Sequence, residues 1–451
     1  MGGILLALIA SGTLLAQSYT LRDAVSSALD RYPATKVSTE QMAAAASAIN
    51  LARTGYLPRL DFSAQANRAT HNNVFGMLLP PAGVPGISGP VLGTTGLGSV
   101  WGSAVGLQVS WEAFDFGLRG ANVGLAEAGR KRAETTVART RFEVASAAAD
   151  AFLTLVAAQQ TAVAAEAGVR RSKVLRDVVE ALAKAQLRPG ADLSRARAEL
   201  AVAETQWIQA QQAIEVAKAS LSRFVGGDPA QISTQQGPLL ELPPPVEAPA
   251  SPAAAHPVLA EQNAVILERR ASRTVLDKSF YPKFNLTGAS YARGTGALPN
   301  GTTLGGLSGL GPNIHNWGVA LAINFSLFDL PALKARKEIA SHQERAETAR
   351  LQQEQQDLSA ALARARAAAE GARRIAGNTP IELQAARDSE RQATARYKAG
   401  LGTLIEVADA QRLVTQAEID DSIARLNVWR AMLGVAAAAG DLEPFLTQAS
   451  R

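Results

Sequence analysis

A shift of 214 positions lays one part of this chain over another. It superposes Phe114-Asp115 on Phe328-Asp329, Lys184-Ala185 on Lys398-Ala399, Asp192 on Glu406, Ala203-Glu204 on Ala417-Glu418 and Gly226 on Gly440, with no gap. Upstream, Trp101-Gly102 matches Trp317-Gly318 at a shift of 216, and Leu57-Pro58-Arg59-Leu60 matches Tyr281-Pro282-Lys283-Phe284 at 224. The length differences are therefore expected just before Phe114 and in the segment ahead of Trp101. Insertions concentrate in loops, so that segment reads as one. A unit of roughly 200 residues far exceeds a solenoid period. The chain reads as two copies of one domain-sized motif, 19–227 and 258–441, joined by 228–257 and followed by a tail, 442–451.

Each copy carries two alternating segments. Leu60, Phe62, Ala64 and Ala66 alternate with Asp61, Ser63, Gln65 and Asn67, and Leu107, Val109 and Trp111 alternate with Gln108, Ser110 and Glu112. In the second copy Phe284 and Leu286 alternate with polar neighbours, and so do Trp317, Val319, Leu321, Ile323, Phe325 and Leu327. A period of two predicts strands with one apolar face. The predicted pairs are 57–70 with 101–114, and 282–293 with 316–328, each joined by a Gly- and Pro-rich loop. Two hairpins make a poor free-standing sheet and need partners.

The remainder is helical in pattern. No proline interrupts Gly117 to Leu187, and an unbroken helix of that extent would be ~105 Å long, beyond any compact domain. Apolar residues recur at three- and four-residue spacing, as in Leu193, Ala196, Leu200, Ala203 and Trp207, a coiled-coil-like seam of small residues. Pro189-Gly190 and Gly400-Leu401-Gly402 break the two helix pairs, and Pro380 is expected to kink or interrupt its helix. Asp228 to Pro257 holds eight prolines in thirty residues and predicts an extended connector packed along the repeat. Residues 1–18 read as a secretory signal ending in Ala16-Gln17-Ser18, with cleavage expected before Tyr19.

Composition excludes several chemistries. There is no cysteine, hence no disulfide scaffold, thiolate metal site, thiol nucleophile or thiol for lipidation in this sequence. Much of the hydrophobic share of 47% is alanine, which packs helices closely but buries little area per residue. The net charge of +5 comes from bases interleaved with acids along helices, a pattern for a solvated surface rather than for nucleic acid. Gly93–Gly98 and Gly305-Gly306 lack the strand–turn–helix setting of a phosphate loop. No nucleophile–base pair or acid cluster implies an enzyme, and no residue set implies a cofactor or metal.

An exported chain with four apolar-faced strands and helices too long for a globule is satisfied if hairpins from several copies close one barrel. Three chains would supply twelve strands, within the range of transmembrane barrels. In these features the chain resembles the TolC-like outer-membrane efflux proteins. The resemblance rests on the duplication, on Tyr56-Leu57-Pro58 and Tyr281-Pro282 leading into strands, on Phe114-Asp115-Phe116-Gly117-Leu118-Arg119 leading into a long helix, and on the run Tyr397 to Ala410. It implies an α+β membrane protein: a homotrimer whose four strands per chain form a 12-stranded β-barrel in contact with outer-membrane lipid, and whose long helices form a periplasmic α-barrel. It also implies a periplasmic adaptor and an inner-membrane pump of RND, ABC or MFS type, serving efflux or type I secretion. A periplasmic coiled-coil adaptor or scaffold that never enters the membrane is the alternative.

The resemblance also assigns residues. Glu406 and Asp409, three apart on a helix, would line the periplasmic mouth as rings of acids that attract cations. Asp192 and Tyr397 would help hold that mouth shut, although Asp192 could simply N-cap its helix. The family's arginine just after the second turn is replaced by Gly402, leaving Arg188 or Lys398 as substitutes. Arg188, Pro189 and Gly190, with Gly400, Leu401 and Gly402, would form the tips where an adaptor docks, with Gln186 standing where a glycine is usual. Pro58 and Pro282 would open the strands, and Asp115, Gly117, Asp329 and Pro331 would mark the exits into helices.

Overall fold

The computed structural model describes residues 17–70, 97–244, 251–298, 300, 302–325 and 327–450. In chain order the elements are β1 (Gln17–Tyr19), α1 (Leu21–Arg31), α2 (Pro33–Thr54), β2 (Arg59–Thr70), β3 (Ser99–Phe114), α3 (Leu118–Lys184), α4 (Gly190–Val225), β4 (Ile232–Thr234), α5 (Pro257–Lys278), β5 (Lys283–Thr295), β6 (Ile314–Asn324), α6 (Leu330–Lys398), α7 (Leu404–Ala439) and α8 (Glu443–Gln448). They divide into two compact units. One takes in residues up to Met42, Ala133–Asn263 and Ala349 onward; the other comprises Ala43–Arg132 and Ala264–Thr348.

The second unit holds an antiparallel four-stranded sheet in the order β2-β3-β5-β6. Each hairpin pairs its two strands, and the copies join where β3 meets β5. β2 pairs Arg59 with Ser110 and β5 pairs Lys283 with Asn324. Arg59 and Lys283 are repeat equivalents, so Ser110 matches Asn324 and the shift of 214 persists through the strands. This corrects the alignment expected at Trp101-Gly102. In the paired sheet the counterpart of Trp317 is Ser103, and the tryptophans are offset by two residues on the same face. Two prominent side chains won the sequence match; the hydrogen-bond ladder sets the true register. The last predicted strand also ends early: β6 stops at Asn324, and Leu327–Asp329 form a 3₁₀ turn.

The first unit is helical around a core of Leu21 and Val25 of α1, Phe152, Leu153, Leu155 and Val156 of α3, Leu221 and Val225 of α4, Trp429 of α7 and Phe445 of α8. Away from this core, helices meet through alanine: Ala162 and Ala165 with Ala210, Ala376 with Ala424, Ala386 with Ala417. Small side chains bring backbones close, which is where the alanine in the composition goes. Within α3, one stretch is long and apolar enough to cross a membrane by length and composition, and half of it is buried inside the protein.

The proline-rich connector is stapled as far as Pro244. Arg373 donates to the carbonyls of Pro243 and Pro244, Arg425 to Leu240, and the Trp429 indole to Glu241. Proline lacks an N–H but keeps its carbonyl, so acceptors dominate such a segment and neighbouring helices supply donors. Residues 245–250 lie outside the described residues. β4 of the connector pairs in parallel with β1, matching Gln17 to Ile232 and Tyr19 to Thr234. Gln17 and Ser18 of the expected signal are thus strand residues, while 1–16 lie outside the described residues.

Pro380 does not interrupt its helix, contrary to the sequence expectation: α6 runs continuously past it. A proline here removes the hydrogen bond to the Ala376 carbonyl and costs about 3 kcal/mol. The surrounding packing holds the backbone: Ala376 is buried against α7, and the buried Thr379 hydroxyl donates to Asp421 at 3.1 Å. Arg425 in turn pairs with Asp421.

Candidate functional site

Two regions carry the expected functional residues: the turns at the ends of the long helices, and the sheet.

The two turns are built alike. After α3, Leu187 N donates to Leu182 O at 2.9 Å; after α6, Leu401 N donates to Arg396 O at 2.9 Å. These six-to-one bonds are the Schellman closure of a helix C-terminus, which needs one left-handed residue. In the second copy that residue is Gly400, at φ +76; in the first it is Gln186, at φ +60. Both turns expose a leucine, Leu187 at 70% and Leu401 at 74%, and these are repeat equivalents.

The returning helices start differently. Thr403 caps α7 by accepting from Glu406 N. The cap of α4 is Pro189, with no side-chain bond, and Asp192 stands inside the first turn. Asp192 is therefore not the N-cap, because the helix begins three residues earlier than that reading requires.

Beneath the turns a small core gathers Leu175, Val179, Ala196, Leu404, Val407 and Tyr397. Tyr397 is 2% exposed. Arg188 lies over its ring at 4.5 Å and donates to its carbonyl at 2.9 Å. Burial pushes the Tyr397 phenol up, Asp192 adds to the rise and Arg188 opposes it. Arg188 is the repeat counterpart of Gly402. A Cβ on Gly402 would stand 3.2 Å from Tyr397 N, Arg396 Cβ and Glu406 Oε2, so position 402 has little room for a side chain in this arrangement. Of the two expected substitutes, Arg188 is the one seated on Tyr397.

Glu406 and Asp409 lie exposed on one face of α7. Each has an arginine beside it: Arg396 is 3.8 Å from Glu406, and Arg412 is 3.2 Å from Asp409. Arg412 also reaches Glu199 of α4 at 3.0 Å. Sequence reasoning missed these partners. Arg412 was findable, three residues from Asp409 on one helix; the link to Glu199 joins positions more than 200 residues apart.

At the sheet, Pro58 and Pro282 directly precede β2 and β5, where no ladder donor is lost. Asp115 follows β3, is 5% exposed, and accepts from Gly117 N and from the backbone and guanidinium of Arg119. Arg119 packs over Tyr56, and Phe116, at φ +50, stacks on Tyr281. In the second copy Asp329 is exposed and Pro331 is the second residue of α6. The sheet has one apolar face, formed by Leu60 and Phe62, Leu107, Val109 and Trp111, Leu286, and Trp317, Val319, Leu321 and Ile323, and these side chains are exposed. The face ends in an aromatic cluster of Phe114, Phe116, Tyr281 and Phe284. Among the described residues, its outer strands β2 and β6 each pair along one edge alone. Most of the loop after β2 (71–96), including most of Gly93–Gly98, lies outside the described residues; Gly305-Gly306 sits in the loop between β5 and β6.

The sequence pattern of the outer membrane efflux protein family matches residues 24–227 and 251–441. No curated protein sequence matches significantly. Among solved structures, the Campylobacter jejuni CmeC outer membrane channel aligns with TM-score 0.76 at 18% identity, covering 96% of this chain and 89% of that one. The Vibrio cholerae outer membrane protein VceC aligns with TM-score 0.71 at 17% identity, over 93% and 96% of the two chains. The open state of the Neisseria gonorrhoeae MtrE outer membrane channel aligns with TM-score 0.69 at 18% identity, over 96% and 94%.

Proposed function

We propose, from the premise that this chain belongs to the outer membrane efflux protein family, that it is a trimeric outer-membrane channel-tunnel. It gives passive exit to substrates driven by an inner-membrane pump through a periplasmic adaptor. The observation that carries the reading is the sheet: four strands with one exposed apolar face and, among the described residues, two free edges. Apolar side chains facing lipid and unpaired edges are both stabilised when three copies close a twelve-stranded barrel, because no backbone group is then left unpaired in hydrocarbon. A soluble scaffold gains nothing from such a sheet.

The turns form the periplasmic mouth in this reading. Leu187 and Leu401 offer apolar contacts to an adaptor, and Arg188 holds the two turns of one chain together through Tyr397. Glu406 and Asp409 line the opening as acids partly offset by Arg396 and Arg412. Three-fold symmetry would repeat each pair around the axis.

Detergent-extracted protein should have the mass of a trimer and conduct in a planar bilayer. Arg188→Ala should raise the conductance or the open fraction of that trimer by loosening the turns. A monomer without conductance would overturn the channel reading; a trimer whose conductance ignores Arg188 would remove the clasp alone.

A further inference from the structure

Charge on the polar face of the sheet is balanced at one end and not at the other. At the end nearer the helices, Arg59 is 2.9 Å from Asp61, and Glu112 lies opposite Asn285, two residues along β5 from Lys283. Beyond these four, toward the hairpin loops, the face is uncharged until Arg293, which stands opposite Ala104 of β3 and Ile314 of β6. Among the described residues Arg293 has no ion-pair partner, and its Nε is buried without an acceptor. The loops hold no acid for it either: there is no Asp or Glu between Asp61 and Glu112, or between Asp277 and Asp329. Arg68, by contrast, lies on the apolar face and has partners, the Trp101 ring at 5.4 Å and the Ser99 hydroxyl at 3.0 Å.

We propose that Arg293 is an anion-binding residue on the inner wall of the channel, taking the carboxylate or phosphate group of a solute on its way out. The inference rests on the channel reading above: with the apolar face against lipid, the polar face lines the lumen, and three-fold symmetry sets three arginines round it at one level. That level is toward the outer end, about 33 Å along β5 from Lys283 at a rise of about 3.3 Å per residue. A guanidinium keeps its charge at any working pH and presents five donors in a planar fork that an oxyanion can accept from in pairs. A buried donor without an acceptor is unfavourable, so a ligand that supplies one gains more here than at a solvated, paired arginine. The neighbouring wall has the same preference. On β3 this face carries Gly102, Ala104 and Gly106, and larger side chains lie close over them: a Cβ on Gly102 would stand 2.6 Å from the Asn67 amide oxygen, and one on Gly106 2.4 Å from Tyr291 Cβ. Amide, phenol and guanidinium groups thus share one stretch of wall that holds no negative charge. Its sign is opposite to that of Glu406 and Asp409, so the two regions attract different ions.

The test is block of the bilayer-reconstituted protein by inorganic tripolyphosphate, a small polyanion, at about 0.1 M salt, where charges are screened over about 10 Å. The concentration that halves the wild-type current should rise about tenfold in Arg293→Gln, the loss of one charge-assisted contact. Arg293→Lys, which keeps the charge and loses the fork, should raise it less. Asn316 stands opposite Tyr291 on β6 and is therefore a diagonal neighbour of Arg293 on the same face. Asn316→Asp supplies an internal carboxylate there and should weaken the block with the arginine still in place, so the test holds even where removal of Arg293 impairs folding. Arg293→Gln and Asn316→Asp should both move the reversal potential under a potassium chloride gradient toward cation preference. A conducting wild-type protein that tripolyphosphate does not block, or a block unchanged in both variants, overturns the anion site and leaves the channel reading intact. A wild-type protein without conductance overturns both.

Discussion

Gln186 occupies a position that its repeat counterpart fills with Gly400, and the backbone treats the two alike, at φ +60 and +76. A side chain in the left-handed region costs about 1 kcal/mol through contact of Cβ with the following carbonyl. Gln186→Gly should therefore stabilise the protein by about 1 kcal/mol, seen as a higher midpoint of thermal unfolding. An unchanged or lower midpoint would show that the Gln186 side chain makes a compensating contact. The departure from the family pattern was visible in the sequence, but its strain was not, because only the observed dihedral tells a turn that needs glycine from one that merely accepts it. The same limit applies at Gly402. There the sequence registers a missing arginine; the crowding by Tyr397, Arg396 and Glu406 explains why a side chain is unwelcome.

At the scale of elements, the duplication let the strands, the long helices and their turns be located from sequence, since a shared period and a shared shift reinforce each other. The strand register was read two residues off because Trp101 and Trp317 match better as letters than as places in a ladder. Pro380 misled for a related reason: the cost of a proline in a helix is local, whereas the burial of Ala376 and the Thr379–Asp421 bond that offset it come from α7. The joint between α5 and α7 was not legible at all. His256 is buried, its Nδ1 accepts from Val258 N at 3.2 Å, and its Nε2 lies 3.3 Å from Ala437 O. One neutral imidazole thus caps the start of α5 and the end of α7 together. Beside it, Gly440 at φ +91 comes so close that a Cβ would stand 2.5 Å from the His256 ring. Burial pushes the His256 pKa down from 6.5, the bond to Ala437 resists, and Arg139 adds to the fall. Arg139 is itself paired with Glu143 and Glu261, and the Phe142 ring packs edge-on against the imidazole. The folded protein then binds fewer protons at this site than the unfolded chain. Stability is full above pH 6.5 and declines as pH falls below it, because a second ring proton would point at the Val258 N–H. His256→Asn should flatten the dependence of the thermal midpoint on pH between about 7 and 5. An equally steep dependence in that variant would assign the loss to other groups.

At the scale of the whole molecule, the proposed trimer would make the mouth a matter of charge summed over three copies. Read from sequence, Glu406 and Asp409 are rings of bare acids; read with their neighbours, each acid carries an arginine within 4 Å. Paired charges cancel at distances longer than their separation, so the field across an opening is much weaker than six carboxylates would give. The wild-type channel is accordingly expected to prefer cations only modestly. Arg412 is the informative residue, because it is the arginine that bridges Asp409 and Glu199, the latter also 3.9 Å from Arg195. Arg412→Gln should take the positive charge away from Asp409 and raise the cation-to-anion permeability ratio several-fold, and Asp409→Asn should lower the ratio in the wild-type background. Both shifts should shrink as salt rises, since exposed charges are screened over about 8–10 Å at physiological ionic strength. The measurement is the reversal potential of bilayer-reconstituted trimers under a salt gradient. If neither substitution moves it, these residues do not face the ion path, and the mouth must be formed by another part of the helices.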